Sequence, residues 1–164
     1  MAQKNKKFEI TFKKSPNQSS RTRKVIDTII IHATEGGFEG ALSWMLDPNS
    51  KASAHYIISK KGDVVRLVED QFKAWHAGVS SWKGVEDLNQ NSIGIELENV
   101  NVGKDPYPDE QMSRLVSLVR YLKNKFPTIK DDLILGHEQI APKRRKDPGP
   151  LFPWDKFRML LKGE

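Results

Sequence analysis

The run VIDTIIIH, residues 25–32, constrains the fold more than any other stretch of this chain. Its β-branched residues are nearly continuous, so the pattern predicts a strand buried on both faces and ending at His32. Such a strand needs a covering layer on each side, which points to a sheet flanked by helices. FEGALSWML has helical spacing and stops at Asp47-Pro48, where the residue before proline is pushed out of the helical region. From Pro108, a favourable first-turn residue, Met112, Leu115, Val116, Val119, Leu122 and Phe126 follow the spacing of an amphipathic helix. AHYIIS and VVRLVE read as strands around a KKGD turn, DLILGH as a short strand ending at His137, and WDKFRMLL as a final helix. SIGIELEN alternates, with Ile93, Ile95 and Leu97 on one face and Gly94, Glu96 and Glu98 on the other. The expectation is one α/β domain over residues 25–164, a mixed central sheet flanked by helices with its site at strand ends. Residues 1–24, polar and basic with the patch SPNQSS, are expected to form an arm or lead-in.

A length of 164 residues is enough for one domain with a real core. There is no cysteine, which excludes disulfides and leaves histidine and carboxylate as the side chains to hold a metal. No apolar run approaches the roughly 18 residues of a membrane span. The start, MAQKNKKFEITFKK, lacks the apolar stretch of a signal peptide. A cytoplasmic protein, or one released to the cell wall at lysis, is therefore expected; a leader upstream would make it periplasmic or exported. The net charge of +6, with clusters at Lys4–Lys7, Arg21–Lys24 and Lys143–Lys146, suits an anionic partner. Nucleic acid, lipid headgroups and an anionic wall all qualify by charge, but no nucleic-acid motif is present.

Two of the four histidines, His32 and His137, sit where strands end, the usual place for a site in an α/β sheet. His55 starts a strand and His76 lies in AWHAG. Ten residues after His137 comes Asp147, in KDPGPLFP, where three prolines and a glycine stiffen the chain. That loop reads either as a rigid turn into the last helix or as a mount that presents one carboxylate. Two histidines and a carboxylate form a common catalytic zinc ligand set with a fourth position open. Glu96 and Glu98 read either as solvent-facing carboxylates or as a pair of which one stands beside a metal as general base for its water, and Gly94 beside them leaves room for a close approach. Trp75 and Trp82, in AWHAGVSSWKG, suit a core or the wall of a sugar- or peptide-binding groove.

TIIIHAT, SAHYIISKKGDVVRLVED, AWHAGVSSWKG, LNQNSIGIELEN and GHEQIAPKRRKDPGPLFPW run in order from about residue 25 to 158. By these five motifs the chain resembles the zinc-dependent N-acetylmuramoyl-L-alanine amidases of the type 2 class. That class includes AmpD-like and AmiD-like enzymes, T7-lysozyme-like phage amidases and peptidoglycan recognition proteins. The short segment between His32 and His55 looks more like the AmiD-type and phage enzymes. The resemblance implies one catalytic zinc ion held by His32, His137 and Asp147, with Glu96 as the catalytic glutamate. It implies a cation two residues before the aspartate, where this chain has Arg145 in place of lysine, with Lys146 adjacent. His55, Trp75 and His76 match positions lining the cleft and are expected to contact substrate. The implied activity is hydrolysis of the amide between N-acetylmuramic acid and L-alanine in peptidoglycan or muropeptides, by a monomer. An inactive peptidoglycan-binding module is the alternative, although such members typically lack a ligand that is present here.

Overall fold

The computed structural model describes residues 8–163. Along the chain come β1 (Ile10–Phe12), β2 (Gln18–Ser20), β3 (Thr28–Ala33), α1 (Phe38–Leu46), β4 (Tyr56–Ile58), β5 (Val64–Arg66) and β6 (Phe72–Ala74). A small hairpin follows, β7 (Ser81–Trp82) with β8 (Val85–Glu86), and then β9 (Ser92–Leu97) and α2 (Asp109–Lys125). The chain closes with β10 (Ile134–Gly136), α3 (His137–Ile140) and α4 (Trp154–Lys162). Six strands form one mixed sheet in the order β1-β5-β4-β9-β3-β10. β10, β3, β9 and β4 run parallel, while β5 returns antiparallel to β4 as the KKGD turn predicts. This is the expected α/β architecture.

The buried run explains the layering. Ile29, Ile30 and Ile31 are all fully inaccessible, and burying each contributes about 1.5–3 kcal/mol. Ile29 and Ile31 join Ile93, Ile95 and Leu97 under α2 and α4, packing against Leu115, Val119, Leu122 and Phe157. Ile30 faces the other way, into a cluster with Ala77, Leu88, Leu135 and Ile140. Leu42 and Met45 of α1 cover Ile57 and Val65 on that second side. Gln111 of α2 donates to the Ile58 and Glu98 carbonyls at 3.0 and 3.1 Å, tying the long helix to the ends of β4 and β9.

Residues 8–24, part of the expected arm, lie against this domain. Ile10–Phe12 pairs in parallel with Val64–Arg66 at the sheet edge, and Gln18–Ser20 pairs with Phe72–Ala74. Ser15 and Asn17 are buried, and Asn17 donates to the Asp47 and Ala52 carbonyls. Two three-residue strands in a basic segment carry too little periodicity to be seen in sequence. Residues 1–7, with the first basic cluster, lie outside the described region. Among the described residues no helix is long and apolar enough to cross a membrane.

Candidate metal centre

Parallel pairing brings the carboxyl ends of β10, β3 and β9 to one edge of the sheet. Strand alternation then decides which side chains meet there. In β9 the apolar Ile93, Ile95 and Leu97 face α2, which turns Ser92, Gly94 and Glu96 to the opposite side. His32 pairs with Glu96, and Gly136 with Ile31, so His137 emerges beside His32. The separation of 105 positions between the two histidines is thus closed by the sheet. Asp147 comes in on its own loop. The Glu138 amide donates to the Asp147 carbonyl at 2.9 Å, Tyr107 Oη to the Pro148 carbonyl at 2.7 Å, and the Gly149 amide to Glu138 Oε2 at 3.2 Å. Gly149 turns at φ +82°, a conformation other residues rarely adopt. The Ala33 amide of β3 donates to Asp147 Oδ2 itself. The stiff loop is therefore a mount as well as a turn.

His32, His137 and Asp147 are all buried, and they offer three ligand atoms within 4.8 Å of one another. The two Nδ1 atoms lie 3.0 Å apart, and Asp147 Oδ2 is 3.3 Å from His137 Nδ1 and 3.4 Å from His32 Nδ1. A tetrahedral ion with bonds of about 2.0–2.1 Å needs ligand atoms roughly 3.3–3.4 Å apart. His137 Nε2 lies 3.1 Å from the Ala77 carbonyl, which can only accept, so Nε2 carries a proton and the neutral ring has its lone pair on Nδ1. Burial, partly offset by Asp147, lowers His32 to about 4, so this imidazole is neutral. Asp147 Oδ2 accepts from the Ala33 amide at 3.3 Å, a hydrogen bond that favours its carboxylate form. The triad is a buried, electron-rich group with an anionic member, and its donor set and spacing fit a divalent cation.

Glu96 stands at the rim, with Oε1 4.0 Å from His32 Nδ1 and 18% of its side chain exposed. Its Oε2 is buried without a hydrogen-bond partner among the described residues. Burial first, then the Asp147 and Glu35 carboxylates, push it up to about 8 against the pull of Arg145. Glu98, the other candidate, is occupied structurally: it accepts from the Phe38 amide at 3.2 Å and the Lys60 amide at 2.7 Å. Arg145 and Lys146 are both exposed, and it is the Arg145 charge that bears on Glu96 and His32. A cleft of about 250 Å³ opens beside Glu96, lined by Thr34, Gly36, Gly37, Gly40 and Trp44. A Cβ at any of these three glycines would meet nothing, so they leave space that packing does not require.

The three residues expected to contact substrate separate. His55 has no exposed surface. Its Nδ1 accepts from the Gly94 amide at 3.0 Å and its Nε2 donates to the Phe72 carbonyl at 2.9 Å, so it braces β9 from inside the core. The expectation for His55 is therefore corrected: a fully buried ring has no face to offer. Trp75 is half-buried, with its indole N–H donating to Ser19 Oγ at 3.1 Å. His76 lies under the triad, with Nδ1 2.9 Å from His32 Nε2 and Nε2 3.1 Å from Ser92 Oγ. It explains Gly94, since a Cβ there would meet the His76 ring at 2.5 Å. Two contributors were not singled out from sequence. Arg144 donates to the Ala77 and Val79 carbonyls, clasping the segment that holds His137 Nε2. Ser92 shares a face with Gly94 and Glu96, so alternation contained its signal, but nothing in sequence links it to His76.

Residues 21–150 match the family described as N-acetylmuramoyl-L-alanine amidase. The chain is 45% identical to the 1,6-anhydro-N-acetylmuramyl-L-alanine amidase AmpD of Enterobacter cloacae over 109 residues, 66% of this chain and 57% of that protein. It is 36% identical to the N-acetylmuramoyl-L-alanine amidase AmiD of Escherichia coli over 146 residues, 80% of this chain and 52% of that protein. The chain thus spans little more than half the length of these two relatives, but 88% of the AmpD of Haemophilus influenzae, with 34% identity. Among solved structures, a selenomethionine AmpD superposes with a TM-score of 0.82 at 33% identity, covering 93% of this chain and 94% of that one. The Escherichia coli AmiD complex with anhydro-N-acetylmuramic acid-L-Ala-D-γ-Glu-L-Lys gives 0.77 at 33% identity, covering 86% and 60%. The matched span carries every residue of the triad and Glu96, and the chain belongs to the N-acetylmuramoyl-L-alanine amidase family.

Proposed function

We propose that this protein hydrolyses the amide joining N-acetylmuramic acid to L-alanine in peptidoglycan or its soluble fragments, using one zinc ion. The observation that carries the reading is the convergence of His32 Nδ1, His137 Nδ1 and Asp147 Oδ2 on one point, beside a Glu96 oxygen with no hydrogen-bond partner among the described residues. His32, His137 and Asp147 would hold the ion. When bound, zinc polarises a carbonyl and makes water a nucleophile near neutral pH. Glu96 is the proton carrier. It takes a proton from the attacking water and passes it to the alanine nitrogen as the C–N bond breaks, leaving a carboxylate on the lactyl group and a free amine on the peptide. Burial and the neighbouring Asp147 and Glu35 carboxylates push Glu96 up, toward a group that can hold a proton as well as release one. Arg145 is the cation for the developing oxyanion. A guanidinium in this role acts by charge and hydrogen bonds rather than by proton transfer. The cleft beside Glu96, with Trp44 as its exposed wall, gives the substrate a place to lie against the reacting bond.

The test pairs two variants. Glu96→Gln is expected to keep stoichiometric zinc and lose muropeptide hydrolysis by a factor of about 10² or more. Asp147→Ala is expected to lose both. Hydrolysis by Glu96→Gln at the parent rate, followed by mass spectrometry of the products, would overturn the proton-carrier role. Running intact sacculi and soluble anhydro-muropeptides side by side assigns the physical form of the substrate.

A further inference from the structure

His76 is a conspicuous residue for the mechanism to leave idle. Its ring is wedged against Gly94 and sits edge-on to His32, with centroids 5.0 Å apart at 90°. The His76 and Ala77 amides both donate to Asn89 Oδ1, at 3.1 and 2.8 Å, so the backbone carrying the ring is held as well. We propose that Ser92 and His76 are positioning residues: they form a one-way hydrogen-bond relay that fixes the tautomer of His32 and keeps its Nδ1 lone pair free for the cation.

The direction follows from one proton. Ser92 Oγ lies 2.5 Å from the Leu88 carbonyl, which can only accept, so the single hydroxyl proton of Ser92 is used there. Ser92 Oγ can then only accept from His76, 3.1 Å away, which puts the His76 proton on Nε2. His76 Nδ1 is left as an acceptor, and it faces His32 Nε2 at 2.9 Å. His32 therefore carries its proton on Nε2. Its Nδ1 is a bare lone pair, as His137 Nδ1 already is by its bond to Ala77. Two lone pairs and a carboxylate at 3.0–3.4 Å have no proton to share between them, and an ion is what relieves that contact. Without the relay, His32 has a competing tautomer in which Nδ1–H points at His137 Nδ1 and blocks the ligand position. Outer partners of this kind are worth about 10–100-fold in metal affinity.

The inference rests on the triad holding a divalent cation, but not on the substrate, so its test needs no turnover. Two-bond proton–nitrogen correlation spectra of the metal-free protein report which nitrogen of each ring is protonated. The expected result is Nε2–H on His32, His76 and His137; a His32 proton on Nδ1 overturns the relay. Zinc affinity, measured by chelator competition, supplies the second readout. His76→Leu is expected to weaken zinc binding 10–100-fold. His76→Asn, whose Oδ1 overlays the ring Nδ1 as an acceptor, is expected to stay within about threefold of the parent, and Ser92→Ala to fall between. Equal affinity in all variants, or equal loss in His76→Leu and His76→Asn, would overturn the proposal. If His76→Leu does not fold, the parent spectrum and Ser92→Ala still decide it.

Discussion

At the scale of single residues, the site depends on where small side chains leave room. Gly94 is the clearest case. Its strand is otherwise ordinary, yet a methyl group there would lie 2.5 Å from the His76 ring. Gly94→Ala is expected to cost about 1–3 kcal/mol by overpacking and to weaken zinc binding at the same time, because the displaced ring is the partner of His32. Urea unfolding and chelator competition on the same variant check both effects. Were stability lost with zinc affinity intact, His76 would be a packing residue only. Glu96 and Glu98 make the complementary point. Two carboxylates of the same type on one strand pattern end in different work, one at the rim with an oxygen that has no hydrogen-bond partner among the described residues and the other holding the amides of Phe38 and Lys60.

At the scale of elements, His55 and β1 show how much of the scaffold is held by short, inconspicuous pieces. His55 joins β9 to the Phe72 carbonyl through both ring nitrogens. Burial first, then the Arg21 charge, lower it from 6.5 to about 3, so it folds neutral. In the unfolded chain it takes up a proton below its ordinary value. The stability it contributes is therefore complete above about pH 6.5 and is lost as pH falls toward 3, at up to about 1.4 kcal/mol per pH unit. The slope of unfolding free energy against pH between 4 and 6 should be shallower in His55→Leu than in the parent by about one proton. Identical slopes would refute the account. β1 pairs with β5 along three residues at the sheet edge. Deleting residues 1–12 is expected to lower the melting temperature and to promote association through the bared β5 edge, as seen by calorimetry and light scattering.

At the scale of the whole molecule, the metal centre is a joint between parts remote in sequence. β3 brings His32, the start of α3 brings His137, and the loop beyond it brings Asp147. An ion that binds only this assembled state stabilises it by mass action, by about 2.7 kcal/mol at a hundredfold excess over Kd. Chelation is expected to lower the melting temperature, and added zinc to restore it. The same treatments should leave Asp147→Ala unmoved. A parent melting temperature indifferent to both would mean that the triad does not link metal to folding.

Much of this was legible in the chain as written. The continuous VIDTIIIH requires a sheet buried on both faces, and the five motifs that resemble the amidases imply the triad and Glu96. The sheet and the clustering of His32, His137 and Asp147 agree with the sequence, because apolar periodicity and residue type are local properties. The rest was decided by contacts between segments with no local signature. Residues 8–24 pack because they meet β5 and β6. His55 is withdrawn from the cleft because Gly94 and Phe72 claim its ring. Ser92 matters only because the sheet sets it under His76, and His76 only because parallel pairing sets it under His32. A hydrogen-bond direction belongs to a chain of neighbours in space, so only the tertiary structure decides it.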